Sequence, residues 1–136
     1  MALIEWNPAF SVKVKKFDDQ HKKLIDLINQ LHEAMKEGKG NTVLGIILQS
    51  LTDYTVIHFG DEIKMMQANG YPEIARHKAE HDKFVLQVLD LHQKFQSDSG
   101  SLLSFKTLIV LTDWLIEHIQ GEDKKYSPFL NAKGIS

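Results

Sequence analysis

Seven side chains carry the chemistry available to this sequence: His21, His58, His77, His81 and His118, with the carboxylates Glu62 and Asp123. The densest stretch is HFGDEIKMMQANGYPEIARHKAEH, which opens at His58 and closes at His81. It holds an H-x-x-x-E spacing (His58, Glu62) and an H-x-x-x-H spacing (His77, His81). Residues four apart lie one above the other on a helix face. Between the pairs, Asn69-Gly70 is a good helix stop, and Pro72 suits the first turn of a following helix. So short a connection makes the two helices antiparallel neighbours, with four ligand-type side chains facing one point. This stretch reads as half of a metal site.

The elements that must position these residues follow from apolar periodicity. Residues 1–17 are not helical in pattern. Ile4, Trp6, Phe10, Val12, Val14 and Phe17 recur mostly at even spacings and Pro8 interrupts them, which predicts an extended arm packed along the body. A first helix starts at Asp18 or Asp19, both good N-caps, and stops near Gly38 and Gly40. Its stripe is Leu24, Leu27, Ile28, Leu31 and Met35, with His21 on the same side. A second helix opens at Asn41 or Thr42 and runs to about Asn69, its inner face traced by Leu44, Ile47, Leu48, Leu51, Tyr54, Thr55, His58, Glu62, Met65 and Met66. A lone carboxylate on an apolar face is costly unless it is paired or binds a metal, so Glu62 is a pointer by itself. A third helix, 72–95, carries Ile74, His77, His81, Phe84, Val88, Leu91 and Phe95, and residues 97–101 (SDSGS) read as a loop.

The fourth helix, 102–120, turns Leu108, Leu111, Leu115 and His118 inward, with Trp114 and Ile119 flanking. Asp123 follows His118 by five residues, a spacing that a regular helix splays apart. Both reach one centre only if the helix loosens into a π-type turn or ends at Gly121. Tyr126, Phe129 and Leu130 form a short closing turn bounded by Pro128 or Gly134. The expected architecture is all-α: an up-down-up-down antiparallel four-helix bundle with an extended N-terminal arm and a short C-terminal helical turn. It is a single domain over 1–136, with the arm at 1–17 and the bundle with its closing turn at 18–130.

Each of the four helices thus offers an inward histidine. Five imidazoles and two carboxylates exceed the shell of one ion and suit two ions that share the carboxylates as bridges. Imidazole with carboxylate fits iron, zinc, copper or nickel, and the set is not the all-oxygen shell of calcium or magnesium. His32 and His92 stand outside the set, as surface or hydrogen-bonded histidines.

The combination resembles the hemerythrin family, and within it the bacterial single-domain members, nearly end to end. The shared features are Trp6, DDQH ending at His21, HF-x-x-E with MM from His58 to Met66, and YP at Tyr71-Pro72. They continue with HKAEH-x-x-F from His77, W-L-x-x-H-I from Trp114 and DK-x-Y from Asp123. The resemblance implies a non-haem centre of two Fe ions, oxo- or hydroxo-bridged, that binds O2 reversibly. It puts His77, His81 and His118 on one iron and His21 and His58 on the other, with Glu62 and Asp123 bridging. It also implies departures: Ile63 stands where many members have an acid, and Lys13 where many have glycine. Gln120 sits beside the expected O2 pocket.

Composition narrows the rest. A chain of 136 residues, 43% hydrophobic and 25% charged, is long enough for one buried core. A net charge of −2 argues against nucleic-acid binding, and the lack of cysteine removes thiolate sites and disulfides. No signal-peptide pattern or spanning apolar run is apparent, so the expected location is the cytoplasm without membrane insertion. The leading expectation is a monomeric, non-enzymatic O2 carrier for storage, transport or delivery, with an oxygen-consuming enzyme as recipient. The alternatives are an O2- or redox-sensing domain of a signalling protein, or a di-iron peroxidase-like enzyme.

Overall fold

The computed structural model describes residues 3–97 and 102–136. Four helices run through it: α1 (Lys15–Lys36), α2 (Gly40–Asn69), α3 (Ile74–Ser97) and α4 (Leu102–Asp113). The last of these passes into a π-helical segment (Trp114–Glu122), a 3-10 turn (Asp123–Tyr126) and a short α5 (Ser127–Ala132). Successive helices pack on each other and α4 packs back on α1, which closes a four-helix bundle. Most of the expected loop 97–101 lies outside the described residues.

Local chemistry explains where the ends fall. α2 stops at Gly70, whose φ of 70° is the left-handed cap that glycine adopts without strain. Pro72 is not in the first helical turn: it occupies the turn itself, and α3 begins two residues later at Ile74. α1 also begins earlier than its aspartates suggest. Val14 is the N-cap, with no side-chain capping bond, so the arm ends there instead of at residue 17. Asp18, one turn inside, reaches back to accept from Ser11 Oγ (2.7 Å) and Val12 N–H (2.8 Å). It ties the arm to the helix instead of capping it.

The arm holds a 3-10 turn at Pro8–Phe10 and is otherwise irregular, without helix or strand, through its described residues. Asn29 of α1 exchanges two bonds with the Ile4 backbone (2.9 and 2.8 Å), and Ser127 Oγ donates to Val12 O (2.6 Å). Lys13 has φ 59°, a left-handed conformation in which an L side chain costs about 1–2 kcal/mol. Asn131 Nδ2 holds its carbonyl there (3.0 Å). Glycine is the residue this backbone favours, so Lys13→Gly is expected to raise Tm by about 2–5 °C in thermal unfolding. An unchanged or lower Tm would show that the lysine stem contributes packing that outweighs the strain.

Two apolar clusters fill the bundle. The larger runs through Leu24, Ile28, Leu44, Leu51, Phe84, Leu111 and Leu115. The smaller joins the arm to the C-terminus through Val12, Val14, Phe17, Met66, Tyr126 and Leu130. Buried histidines and carboxylates fall where the two meet: His21 lies between Phe17 and Leu24, for example, and Glu62 between Phe59 and Met66. His92 is tied to Leu48 O and Thr52 Oγ1 at 3.0 and 2.9 Å, away from this layer.

The expected lack of a spanning apolar run needs amendment. α2 is long and apolar enough, by length and composition, to cross a membrane, with a mean hydropathy of 1.2 in its best window. That composition reflects a helix buried against α1 and α3, and its inner face holds the buried His58 and Glu62. The outer faces carry apolar side chains as well, because Ile46, Val56 and Ile57 on α2 and Phe105 and Ile109 on α4 are exposed.

Candidate metal centre

All seven candidate side chains lie in one buried layer, each at most 3% exposed. α1 contributes His21, α2 contributes His58 and Glu62, and α3 contributes His77 and His81, each pair one turn apart. His118 comes from the π segment and Asp123 from the start of the 3-10 turn. The loosening required by the five-residue gap is present. The Asp123 N–H bonds to His118 O, the i to i−5 link of a π turn, which brings both side chains to the same side. His118 Nε2 and Asp123 Oδ1 are 2.9 Å apart as a result.

The ligand-type atoms form two overlapping groups. Glu62, His77, His81, His118 and Asp123 make one, and His21, His58, Glu62 and Asp123 the other; within each, the atoms lie within 4.8 Å of one another. Both carboxylates belong to both groups. Glu62 places Oε1 2.9 Å from His81 Nε2 and Oε2 3.5 Å from His58 Nε2. Asp123 places Oδ1 2.9 Å from His77 Nε2 and Oδ2 3.1 Å from His21 Nε2.

These short distances are mostly not hydrogen bonds. Nε2 of His81 and His118 and both Asp123 oxygens are buried without a hydrogen-bond partner among the described residues, although each has a polar neighbour near 3 Å. Misaligned close approaches of this kind arise when lone pairs point at a shared location between them and not at each other. Buried polar groups left in that state cost about 1–3 kcal/mol apiece. A cation between them removes that cost, so the residues fit two metal ions.

Electrostatics agree. Burial, only partly offset by Glu62, pushes His58 down to about 4, so its imidazole is neutral and its lone pair available. Burial also lowers His81. It opposes protonation of His77 as well, but the Asp123 and Glu62 carboxylates beside it carry that group up to about 10. Burial and the Asp123 charge press Glu62 upward. His58, His77 and His81 more than reverse this and hold it below the usual carboxylate range. Asp123 is likewise pushed up by burial but held well below that range by His118, His21 and His77. The layer keeps both carboxylates ionised inside an apolar bundle, balanced in the metal-free chain by protonated imidazole such as His77, a role that bound cations would take over.

Contacts around the layer orient it. Tyr126 Oη donates to Glu62 Oε2 at 2.6 Å, which makes the tyrosine a working partner of the carboxylate as well as a packing residue. Phe59 stacks on His81 (3.8 Å, 4°) and Trp114 on His118 (3.8 Å, 12°), so two rings are held by aromatic faces.

Gln20 is the residue that sequence reading missed. Its Oε1 accepts from His58 Nδ1–H at 2.5 Å while its Nε2 donates to Asp61 Oδ2 at 2.7 Å. This fixes the His58 tautomer with Nε2 toward the site. The partners sit on different helices, 38 residues apart, and no periodicity couples them. Gln20→Leu is expected to weaken metal retention about 10–100-fold in a chelator competition, with Gln20→Glu restoring most of it. Equal retention in the leucine variant would show that packing alone orients His58.

Comparison with known proteins fits this geometry. The Hemerythrin HHE cation binding domain matches residues 12–130. The bacteriohemerythrin of Methylococcus capsulatus (strain ATCC 33009 / NCIMB 11132 / Bath) is 42% identical over 97% of this chain and 100% of its own. That of Stenotrophomonas maltophilia (strain R551-3) is 32% identical over 97% of this chain and 84% of its own. A crystal structure of wild-type hemerythrin superposes with a TM-score of 0.82 at 41% identity, covering 93% of this chain and 97% of that one. A fold, a buried histidine–carboxylate layer and relatives at this identity along the whole chain converge: the protein belongs to the hemerythrin family.

Proposed function

We propose that this protein binds O2 reversibly at a di-iron centre and serves in the cytoplasm as a carrier for storage, transport or delivery. Its family supports the metal and the ligand. The observation that carries the reading is the overlap of two ligand groups through Glu62 and Asp123. His77, His81 and His118 would hold one iron, His21 and His58 the other, and the two carboxylates would be common to both. The iron pair, when bound, supplies the electrons and the coordination position that O2 uses.

The chain's own residues set the conditions. The first iron would have three protein nitrogens and the second two, so the His21–His58 side is the one with room for a further ligand. Gln20 keeps His58 in one tautomer, and Tyr126 holds one Glu62 oxygen in place. Leu24, Leu115 and Ile119 belong to the apolar cluster beside the layer and exclude bulk water. Gln120, half-buried, is more exposed than the fully buried Ile119 beside it.

The set is richer in imidazole than the glutamate-rich di-iron sites of ferritin-like bundles. Weaker donation to iron favours O2 binding over O–O cleavage, hence a carrier and not an enzyme. An oxygen-consuming enzyme is the proposed recipient. A monomer is proposed as well: charged groups such as Asp53 and Lys106 interrupt the exposed apolar positions, and sedimentation tests it.

The deciding experiment is anaerobic reduction followed by O2 addition, with iron quantified and the visible spectrum followed. Two irons per chain and an O2-dependent band that vanishes when O2 is stripped support the carrier. Irreversible oxidation without that band supports an enzyme or sensor, and zinc in place of iron overturns the reading.

A further inference from the structure

His58 can hold a cation through Nε2 only while its ring proton sits on Nδ1. The layer itself pulls the other way. His58 Nε2 lies 3.0 Å from His21 Nε2, so a proton moved to that nitrogen finds an acceptor close by. The tautomer that shuts the ligand off is therefore one that the layer's own imidazoles accommodate. Whatever keeps the proton on Nδ1 must act from the outer side of the ring, where Gln20 stands.

An amide does not choose its direction by itself. Its oxygen and its NH2 group have nearly the same shape, and the partners around it settle which end faces which. With Oε1 toward His58, Nδ1 must donate and Nε2 keeps its lone pair. With the NH2 end there, Nδ1 must accept and the proton moves to Nε2. Asp61 on α2 separates the two. Its Oδ2 lies 2.7 Å from Gln20 Nε2, and a carboxylate oxygen accepts without donating. Turning the amide would set Gln20 Oε1 against that oxygen, acceptor against acceptor. Lys16 Nζ, 3.5 Å from the same Oδ2, helps to hold the carboxylate on that side. The bonds therefore run one way, from His58 Nδ1 to Gln20 and from Gln20 Nε2 to Asp61.

We propose that Asp61 is a positioning residue for the metal centre. By accepting from Gln20 it fixes the direction of the amide, and through it the nitrogen of His58 that stays free for a cation. Asp61 is 26% exposed and belongs to neither ligand group, so its influence reaches the layer only through Gln20. The proposal rests on reading His58 as a ligand. It adds a residue at the surface that selects the binding form of a ring in the interior.

Timed release of iron to a chelator, from the reduced and iron-loaded chain, tests this, with circular dichroism as the check on folding. Asp61→Ala should speed the loss of one of the two ions about three- to tenfold, less than the 10–100-fold of a direct partner. The ion on the His77, His81 and His118 side should leave at the wild-type rate. Asp61→Asn keeps an oxygen that accepts from Gln20 and should release iron as the wild type does, which separates acceptance from charge. Gln20→Glu presents an oxygen at either end. It should restore slow release when combined with Asp61→Ala and gain nothing where Asp61 is present, a non-additivity that lost packing at position 61 does not produce. Unchanged release in Asp61→Ala, fast release in Asp61→Asn, or an equal gain from Gln20→Glu in both backgrounds would each overturn the proposal. A wild-type chain that never holds two ions would overturn the metal reading and this proposal together.

Discussion

Changing Glu62 to glutamine is expected to leave a folded chain that retains at most one iron and shows no O2-dependent visible band. The side chain is fully buried and belongs to both ligand groups. Its Oε1 lies 2.9 Å from His81 Nε2, and its Oε2 accepts from Tyr126 and lies 3.5 Å from His58 Nε2. Glutamine matches it in volume, so packing against Phe59 and Met66 survives. It removes one of two buried negative charges and turns one ligand oxygen into an N–H donor facing imidazoles. Orienting groups outside a metal's shell are worth about 10–100-fold in affinity, and a carboxylate common to both ions should exceed that range. Iron per chain by elemental analysis, with circular dichroism for the fold, measures it. Two retained irons in the glutamine variant would remove Glu62 from the shared position.

Removing the metal should destabilise the whole bundle. Without cations the layer keeps Glu62 and Asp123 charged inside an apolar interior, along with imidazole nitrogens of His21, His81 and His118 that have no hydrogen-bond partner among the described residues. A ligand present at about 1,000 times its Kd adds about 4 kcal/mol to the stability of the folded state. For a chain of this length that corresponds to a Tm lowered by about 10–20 °C on complete chelation. Thermal unfolding with and without chelator, followed by iron re-addition, reads the shift and its reversal. An unshifted Tm would mean that the metal-free layer is satisfied by its own contacts.

Much of this was legible in the sequence because the features that carry it are local. His58 with Glu62 and His77 with His81 share helix faces through i, i+4 spacing, and the structure puts both pairs in the layer. The gap from His118 to Asp123 required a non-α turn, and a π segment is there. Asp18 misled because an N-cap and a residue that reaches back from the first turn use the same side-chain type; the choice depends on Ser11 and Val12, which the arm brings near. Pro72 misled because a proline suits a turn as well as a first helical turn. Gln20 was invisible because its role is to pair with a ring on another helix. The face of α2 was read well except at Phe59, which is buried through stacking on His81 across the bundle.

The π segment has a consequence for how the molecule opens. Residues 114–122 are where the helical backbone departs from the α pattern, the kind of distortion that occurs at functional sites. A metal held by His118 and Asp123 would clasp the end of that same stretch. Release of that ion and opening of the backbone there would then be one event seen from two sides. Amide exchange at positions 119–123 becomes a clock for metal residence, slow while the clasp is shut and fast once it is empty.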